Sequence, residues 1–179
     1  KSADYDYPSR RPGQFTDELE LRRKKLLNMG KPPVYDRSAL NLSDEMKKKF
    51  ISEGKEPYWR FLLQQHKVQW DDQIIGTISV DLASVSDPVF VKEDGQFLYT
   101  IASVCDDIDF GITHVIRGSD HVTNTATQIQ LLETMKSTIP TYGHHSLLTG
   151  LTGNNLSKRF GSLALRDLKS SGVEPMALN

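Results

Sequence analysis

The sequence predicts an α/β protein: a parallel strand–helix–strand unit in the second half of the chain, preceded by a smaller α+β segment. Two observations carry this expectation. Beyond Gly95 a strand-like run at Thr113–Ile116, a helical run and a second strand-like run at Tyr142–Leu148 follow one another. A crossover of that length joins parallel neighbours. Before Gly95, two helical stretches precede short apolar or aromatic runs separated by polar turns, the order of an α+β segment.

The elements follow in chain order. Residues 1–15, rich in Tyr, Pro, Arg and Gly, read as irregular. A helix is expected from Thr16, with Asp17 and Glu18 in its first turn and Leu19, Arg22, Arg23 and Leu26 following. Acids at its start and bases later suit the helix dipole. Gly30 and then Pro32-Pro33 should end it. Ser43-Asp44-Glu45 opens a second helix through Met46 and Phe50, ended by Gly54. Tyr58–Leu63, His66–Trp70, Ile74–Val80 and Val89–Val91 read as strands, and Lys92-Glu93-Asp94-Gly95 as a turn. Tyr99–Cys105 reads as a helix opening onto a turn at Asp106-Asp107. Thr113–Ile116 reads as a buried strand. Thr123 or Asn124 should cap a helix carrying Ile129, Leu132 and Met135 on one face. Tyr142–Leu148 is the second strand. Ser162 should cap a last helix with Leu165 and Leu168, closed by Gly172 and Pro175.

Composition narrows the function classes. The chain has 179 residues and a net charge of −1. A global basic field of the kind that marks a non-specific nucleic-acid binder is therefore missing, and any RNA contact must come from local patches. No apolar run reaches the length of a membrane span, and Lys1–Pro12 is too polar for a signal peptide, so a cytoplasmic protein is expected. Cys105 is the one cysteine, which rules out a disulfide framework or a Cys-cluster zinc site within the chain. His144 and His145 with Cys105, Asp106 and Asp107 fit no ligand spacing, and neighbouring strand residues point to opposite faces, so no protein-ligated metal is expected. The absence of an initiator Met suggests that the start of the protein is missing.

Two positions could carry chemistry on their own terms. Arg117 lies just past a predicted strand, at the carboxyl end where open α/β sheets bind ligands. A guanidinium there can pair in two places with a carboxylate, or sit in a structural ion pair. Leu156-Ser157-Lys158-Arg159 follows the polar, glycine-bearing stretch Thr152-Gly153-Asn154-Asn155. Two adjacent cations on such a loop can hold phosphate, or simply be solvated.

Upstream company decides between these alternatives. Ile112-Thr113-His114-Val115-Ile116-Arg117-Gly118-Ser119-Asp120-His121 precedes Thr123-Asn124-Thr125 and Gln128-Ile129. His144-His145-Ser146-Leu147-Leu148 and the Leu-Ser-Lys-Arg loop then follow in that order. Together these resemble the second half of the catalytic domain of a class I aminoacyl-tRNA synthetase, of the glutamyl-tRNA synthetase family. The loop is similar to that class's Lys-Met-Ser-Lys-Ser signature in its glutamyl form. Thr16–Tyr35 resembles the family's acceptor-arm insert. The family's His-Ile-Gly-His motif does not occur in this sequence.

The resemblance implies a fold, a reaction and a site. Residues 1–97 would be the acceptor-arm-binding insert. Residues 98–150 would be the second half of a Rossmann-type catalytic fold, and 151–179 the Leu-Ser-Lys-Arg loop with the start of a helical region. The implied reaction is ATP-dependent ligation of glutamate to tRNA(Glu) through glutamyl-adenylate, by a monomer, with the isolated chain inactive. A paralogue that glutamylates the queuosine base of a tRNA and a non-catalytic tRNA-binding module are the alternatives. Lys158, with Arg159, would carry catalysis. Tyr99, Ser103 and Arg117 would bind glutamate, with Ser103 standing where many members have asparagine. Asp120, His121, His144, Leu156, Ser157 and Lys158 would bind ATP, with Mg²⁺ held mainly by its phosphates. From residue type alone, Tyr99 reads rather as a core filler, and Asp120 could equally be a helix-start acid.

Overall fold

The computed structural model describes residues 3–6, 24–30, 34–54, 57–147 and 165–174. Residues 24–28 are helical (α1), and the chain turns at Gly30 with φ +67°. Helix α2 spans Asp44–Ser52; the Ser43 side chain accepts from the Met46 amide, and Asp44 and Glu45 stand in the first turn. Both acids suit the positive end of the helix dipole.

The front segment contains a three-stranded antiparallel sheet in the order β1 (Ala3–Asp6), β2 (Tyr58–Phe61), β5 (Val89–Val91). Strand β1 corrects the expectation that the first fifteen residues are irregular. Its four residues have modest strand propensity, and pairing with β2 supplies what local sequence does not. Strand β2 stops at Phe61, short of the expected Leu63, because the Leu63 amide bonds to the Asp87 carboxylate instead of a neighbouring strand. Asp87 is buried and also receives two bonds from the Arg37 guanidinium, at 2.7 and 2.8 Å.

Strands β3 (Lys67–Asp72) and β4 (Gly76–Asp81) form a hairpin in perfect register, Lys67 opposite Asp81 and Asp72 opposite Gly76. Its turn falls later than expected. Asp72 Oδ1 accepts from the amides of Ile74 and Ile75, so those two apolar residues lie in the turn and on the surface. Gly76 closes it at φ +78°.

The rear segment is the predicted crossover. Strands β6 (His114–Gly118) and β7 (Thr141–His145) pair in parallel, Arg117 beside His144, and helix α4 (Val122–Thr134) connects them. Helix α3 (Tyr99–Asp109) precedes β6. It runs four residues past the expected Cys105, so Asp106-Asp107 is helical and not a turn. The stop comes from Gly111 at φ +60°: its amide bonds to Ile108 O, and the Ile112 amide to Asp107 O.

Three further expectations are corrected. Strand β6 contains Arg117 and is not buried, since Ile116 is 58% exposed. Among the described residues it has one strand neighbour, β7, and packs on one face only. Helix α4 begins at Val122 after a 3-10 turn at Ser119–His121, without a side-chain cap from Thr123 or Asn124. Met135 is not on its buried face but at its carboxyl cap, 45% exposed. Strand β7 ends at His145. The last described helix, α5, spans Leu165–Ser170, with Gly172 at φ +81° after it; Ser162 and Pro175 lie outside the described residues.

One buried cluster unites the two segments. Phe61, Leu63, Val68 and Leu82 from the front pack with Val104, Ala126, Ile129, Leu131, Leu132 and Tyr142 from the rear. The Gln73 amide also bonds to Tyr142 O, which ties the hairpin to β7. No helix among the described residues is long and apolar enough to cross a membrane.

Candidate active site

Helical and strand periodicities bring the site together. Tyr99, Ser103 and Asp107 are four residues apart on α3 and share a face. On α4, Thr125 and Gln128 lie one turn apart. Arg117 and His144 are side by side on the parallel ladder, on the same face of the sheet as Val115 and Tyr142.

Arg117 is the centre. Its Nη1 donates to the Tyr99 hydroxyl at 3.1 Å. Its Nη2 donates to Thr125 Oγ1 at 2.6 Å and to Gln128 Oε1 at 2.5 Å. The Gln128 amide is oriented in turn by donating to Ser103 Oγ at 2.8 Å. The guanidinium carbon stands 5.6 Å from the Tyr142 ring centroid. Nη2 has spent both hydrogens, which leaves Nε–H and one Nη1 hydrogen. The Nε is buried and without a partner among the described residues. A buried donor of that kind is costly unless a group accepts from it. The cation is held on its Nη2 side; its Nη1 edge, beside the exposed Tyr99, is the side open to an acceptor, while the Nε–H is enclosed.

His144 is fully buried between two partners. Its Nδ1 faces Asp72 Oδ2 at 2.5 Å, and its Nε2 faces Thr125 Oγ1 at 2.9 Å. Asp72 Oδ1 also accepts the His144 amide at 2.9 Å. Burial by itself would push the Asp72 carboxyl up. The bonds from the His144 ring and amide and from Ile74 and Ile75 outweigh it and hold Asp72 well below the usual carboxylate range.

Two further titratable groups face the cation. Burial pushes the Asp107 carboxyl up and neighbouring Asp106 adds to this, while Arg117 pulls the other way. Burial pushes the Tyr142 hydroxyl up to about 12, again opposed by Arg117. That hydroxyl has no partner among the described residues.

Asp120 and His121 stand at the rim, where β6 gives way to α4. The two side chains are 4.0 Å apart, and the His121 ring lies 5.9 Å from that of Tyr99. At Gly118 a Cβ would come within 2.6 Å of Asp120 Oδ1 and 2.8 Å of Leu147 Cδ2, so a side chain there would displace both of those side-chain ends. The structure thus gathers Tyr99, Ser103, Arg117, His121 and His144 around one network, with Asp120 beside it. Leu156, Ser157, Lys158 and Arg159 lie outside the described residues. A separate cavity of about 420 Å³, lined in part by Arg37, Leu63 and Gln130, touches none of the predicted site residues.

Sequence reasoning missed Asp72, Thr125, Gln128 and Tyr142 as parts of the site, and expected Asp107 only in a turn supporting the pocket floor. The spacing of Tyr99, Ser103 and Asp107 was a usable signal once the helix was extended. Asp72 gave none, because its partner is 72 positions away.

Fold and site define part of an α/β unit with an arginine near the carboxyl end of a parallel strand, the end at which open sheets of this kind hold ligands. A family model described as "tRNA synthetases class I (E and Q), catalytic domain" matches residues 11–179. The chain belongs to that family. It is 60% identical over 175 residues to glutamate–tRNA ligase 1 of Cereibacter sphaeroides, covering 94% of this chain and 40% of that protein. It is 62% identical over 161 residues to glutamate–tRNA ligase 2 of Ruegeria sp., covering 90% of this chain and 36% of that protein. Among solved structures, the glutamate–tRNA synthetase of Elizabethkingia anophelis matches with a TM-score of 0.69 at 29% identity, over 90% of this chain and 34% of that one. A glutamate tRNA ligase from Elizabethkingia meningosepticum, in complex with its amino acid, matches with a TM-score of 0.68 at the same identity. The chain spans about 40% of the length of the curated relatives it matches.

Proposed function

We propose that this chain is a section of the catalytic domain of a glutamate–tRNA ligase. The observation that carries the reading is Arg117, held at the carboxyl end of β6 by Tyr99, Thr125 and Gln128 with donors left over. Such a guanidinium suits the side-chain carboxylate that distinguishes glutamate from glutamine. Tyr99 and Ser103 complete the amino-acid pocket, Ser103 through Gln128. The α-carboxylate of glutamate attacks the α-phosphorus of ATP, and pyrophosphate leaves. The terminal ribose hydroxyl of tRNA(Glu) then attacks the mixed anhydride and releases AMP. Positioning and electrostatics do most of this work, with no covalent enzyme intermediate.

Asp120 and His121 would border the adenosine, Asp120 accepting from it and His121 stacking on the base. His144, with both ring nitrogens engaged inside the protein, would serve the site through Thr125. Leu156 and Ser157 would shape the phosphate loop, Lys158 would meet the charge that grows on the α-phosphate and pyrophosphate, and Arg159 would assist. Mg²⁺ would arrive on the phosphates of ATP. Residues 1–97 would form the insert that grips the tRNA acceptor arm. The protein would act as a monomer in the cytoplasm. The test is amino-acid-dependent ATP–pyrophosphate exchange by the longer protein that carries this chain. Exchange should require glutamate; exchange driven equally by glutamine or other amino acids would refute the reading.

A further inference from the structure

We propose that Asp72, His144 and Thr125 form a positioning relay that fixes the Arg117 guanidinium and so sets the preference for a side-chain carboxylate. The proposal rests on the reading of Arg117 as the group that pairs with that carboxylate.

Hydrogen-bond polarity makes the relay directional. An ionised Asp72 can only accept, so the hydrogen on the facing ring nitrogen must belong to His144 Nδ1. In that tautomer Nε2 is the acceptor. The Thr125 hydroxyl donates to it at 2.9 Å; the competing acceptor, His121 O, is farther at 3.2 Å. With its hydrogen committed there, Thr125 Oγ1 turns a lone pair to Arg117 Nη2 at 2.6 Å. The second Nη2 hydrogen meets Gln128 Oε1, whose own polarity is fixed because its amide donates to Ser103. Two acceptors, each set from behind, therefore fix the plane of the guanidinium.

The relay also crosses the molecule. Asp72 ends β3, His144 belongs to β7, Thr125 to α4 and Arg117 to β6. The Asp72–His144 pair is wholly buried, and replacing buried pairs of this kind by apolar residues of the same volume is often neutral for stability. Its directional bond to Thr125, which in turn holds the cation, is what an apolar pair could not supply.

The test uses the longer protein and pyrophosphate exchange, with separate KM values for glutamate and ATP and the kcat/KM ratio of glutamate over glutamine. Thr125→Val removes the hydroxyl at constant volume. It should raise the glutamate KM about tenfold or more, the scale of one charge-assisted bond, and leave the ATP KM within about twofold. Thr125→Ser should restore most of the glutamate KM. Asp72→Asn turns an amide donor toward His144 Nδ1 and forces the hydrogen onto Nε2, so it should shift the glutamate KM in the same direction as Thr125→Val. Equal effects of valine and serine, parallel shifts in both KM values, or no change at all would overturn the relay. Arg117→Leu, run alongside, separates the two layers. If it collapses the glutamate preference while Thr125→Val does not, only the relay falls; if it leaves the preference intact, the glutamate reading falls with it.

Discussion

Replacing Arg117 by leucine in the longer protein should abolish the preference for glutamate more than it harms catalysis in general. The side chain removed holds three neighbours: Tyr99, Thr125 and Gln128. Gln128 is 1% exposed, so its orphaned Oε1 costs about 1–3 kcal/mol of stability, which a lowered urea midpoint would register. The substrate suffers separately. A carboxylate buried against an isobutyl group instead of a guanidinium loses about 2–5 kcal/mol, most of it the penalty of an unpaired charge. At about 1.4 kcal/mol per decade, kcat/KM for glutamate should fall by roughly thirtyfold to several thousandfold. The neutral amide of glutamine loses at most an ordinary hydrogen bond, about 0.5–1.5 kcal/mol, or roughly tenfold at most. The ratio of the two kcat/KM values, measured by pyrophosphate exchange, should therefore drop by about threefold at the least and by roughly a thousandfold at the most. Arg117→Lys should recover only part of it, because a point charge cannot reproduce the fork or reach Thr125 and Gln128 together. If Arg117→Leu lowered both amino acids by the same factor, the residue would be an internal brace and the pocket would lie elsewhere.

Other consequences can be checked in the same protein. Lys158→Ala should slow adenylate formation by roughly a hundredfold to a thousandfold with little change in ATP KM, since its ammonium meets charge that grows in the transition state; a raised KM at unchanged rate would contradict that role. Asp72 titrates below its unfolded value of about 3.9 when folded, so its stabilising contribution is complete above that pH and lost as pH falls toward the folded value. The gap in urea midpoint between wild type and Asp72→Asn should therefore be widest near neutrality and shrink below about pH 4; a gap that stayed constant would remove the charge from the explanation. Tyr142→Phe should change stability by no more than about 0.5 kcal/mol in either direction, because it deletes a buried hydroxyl that has no partner among the described residues. A loss above about 2 kcal/mol would mean that the hydroxyl is bonded.

The crossover was legible because its signals are local. Two strand-like runs, a helix of the right length and glycine stops suffice to place β6, α4 and β7 within a few residues. Arg117 was legible for the same reason, as a polar residue at the end of a strand. The rest of the site was hidden by distance along the chain. Asp72 looks like one more hairpin acid until β3 is laid against β7. Asp107 was assigned to a turn; in the structure it lies on the last turns of α3, where the charge of Arg117 acts on it. The first strand was hidden because its partner lies more than fifty residues on.

Helix α4 was misread for a reason that says something about the site. Its apolar residues suggest one buried face, yet every residue from Thr125 to Leu132 is buried. A helix covered all round would be most stable if it were apolar all round. Instead Thr125, Gln128 and Gln130 occupy interior positions. Each is matched: Thr125 and Gln128 to Arg117, and Gln130 to the backbone of Gln64 at both its oxygen and its nitrogen. Buried polar groups that are fully matched add little net stability over apolar ones, but they allow one arrangement where apolar groups allow several. The glutamines divide that task along the helix. Gln130 locks α4 to the segment after β2, and Gln128, two residues earlier, locks Arg117. The position of the guanidinium is therefore referred, through a single rigid helix, to the front segment of the chain. A substitution at Gln130 should then be felt at Arg117 even though the two residues share no contact. Gln130→Leu should leave α4 buried and raise the glutamate KM by a few-fold, on the scale of indirect coupling of about 0.5–2 kcal/mol. An unchanged KM would show that α4 holds its register by packing alone.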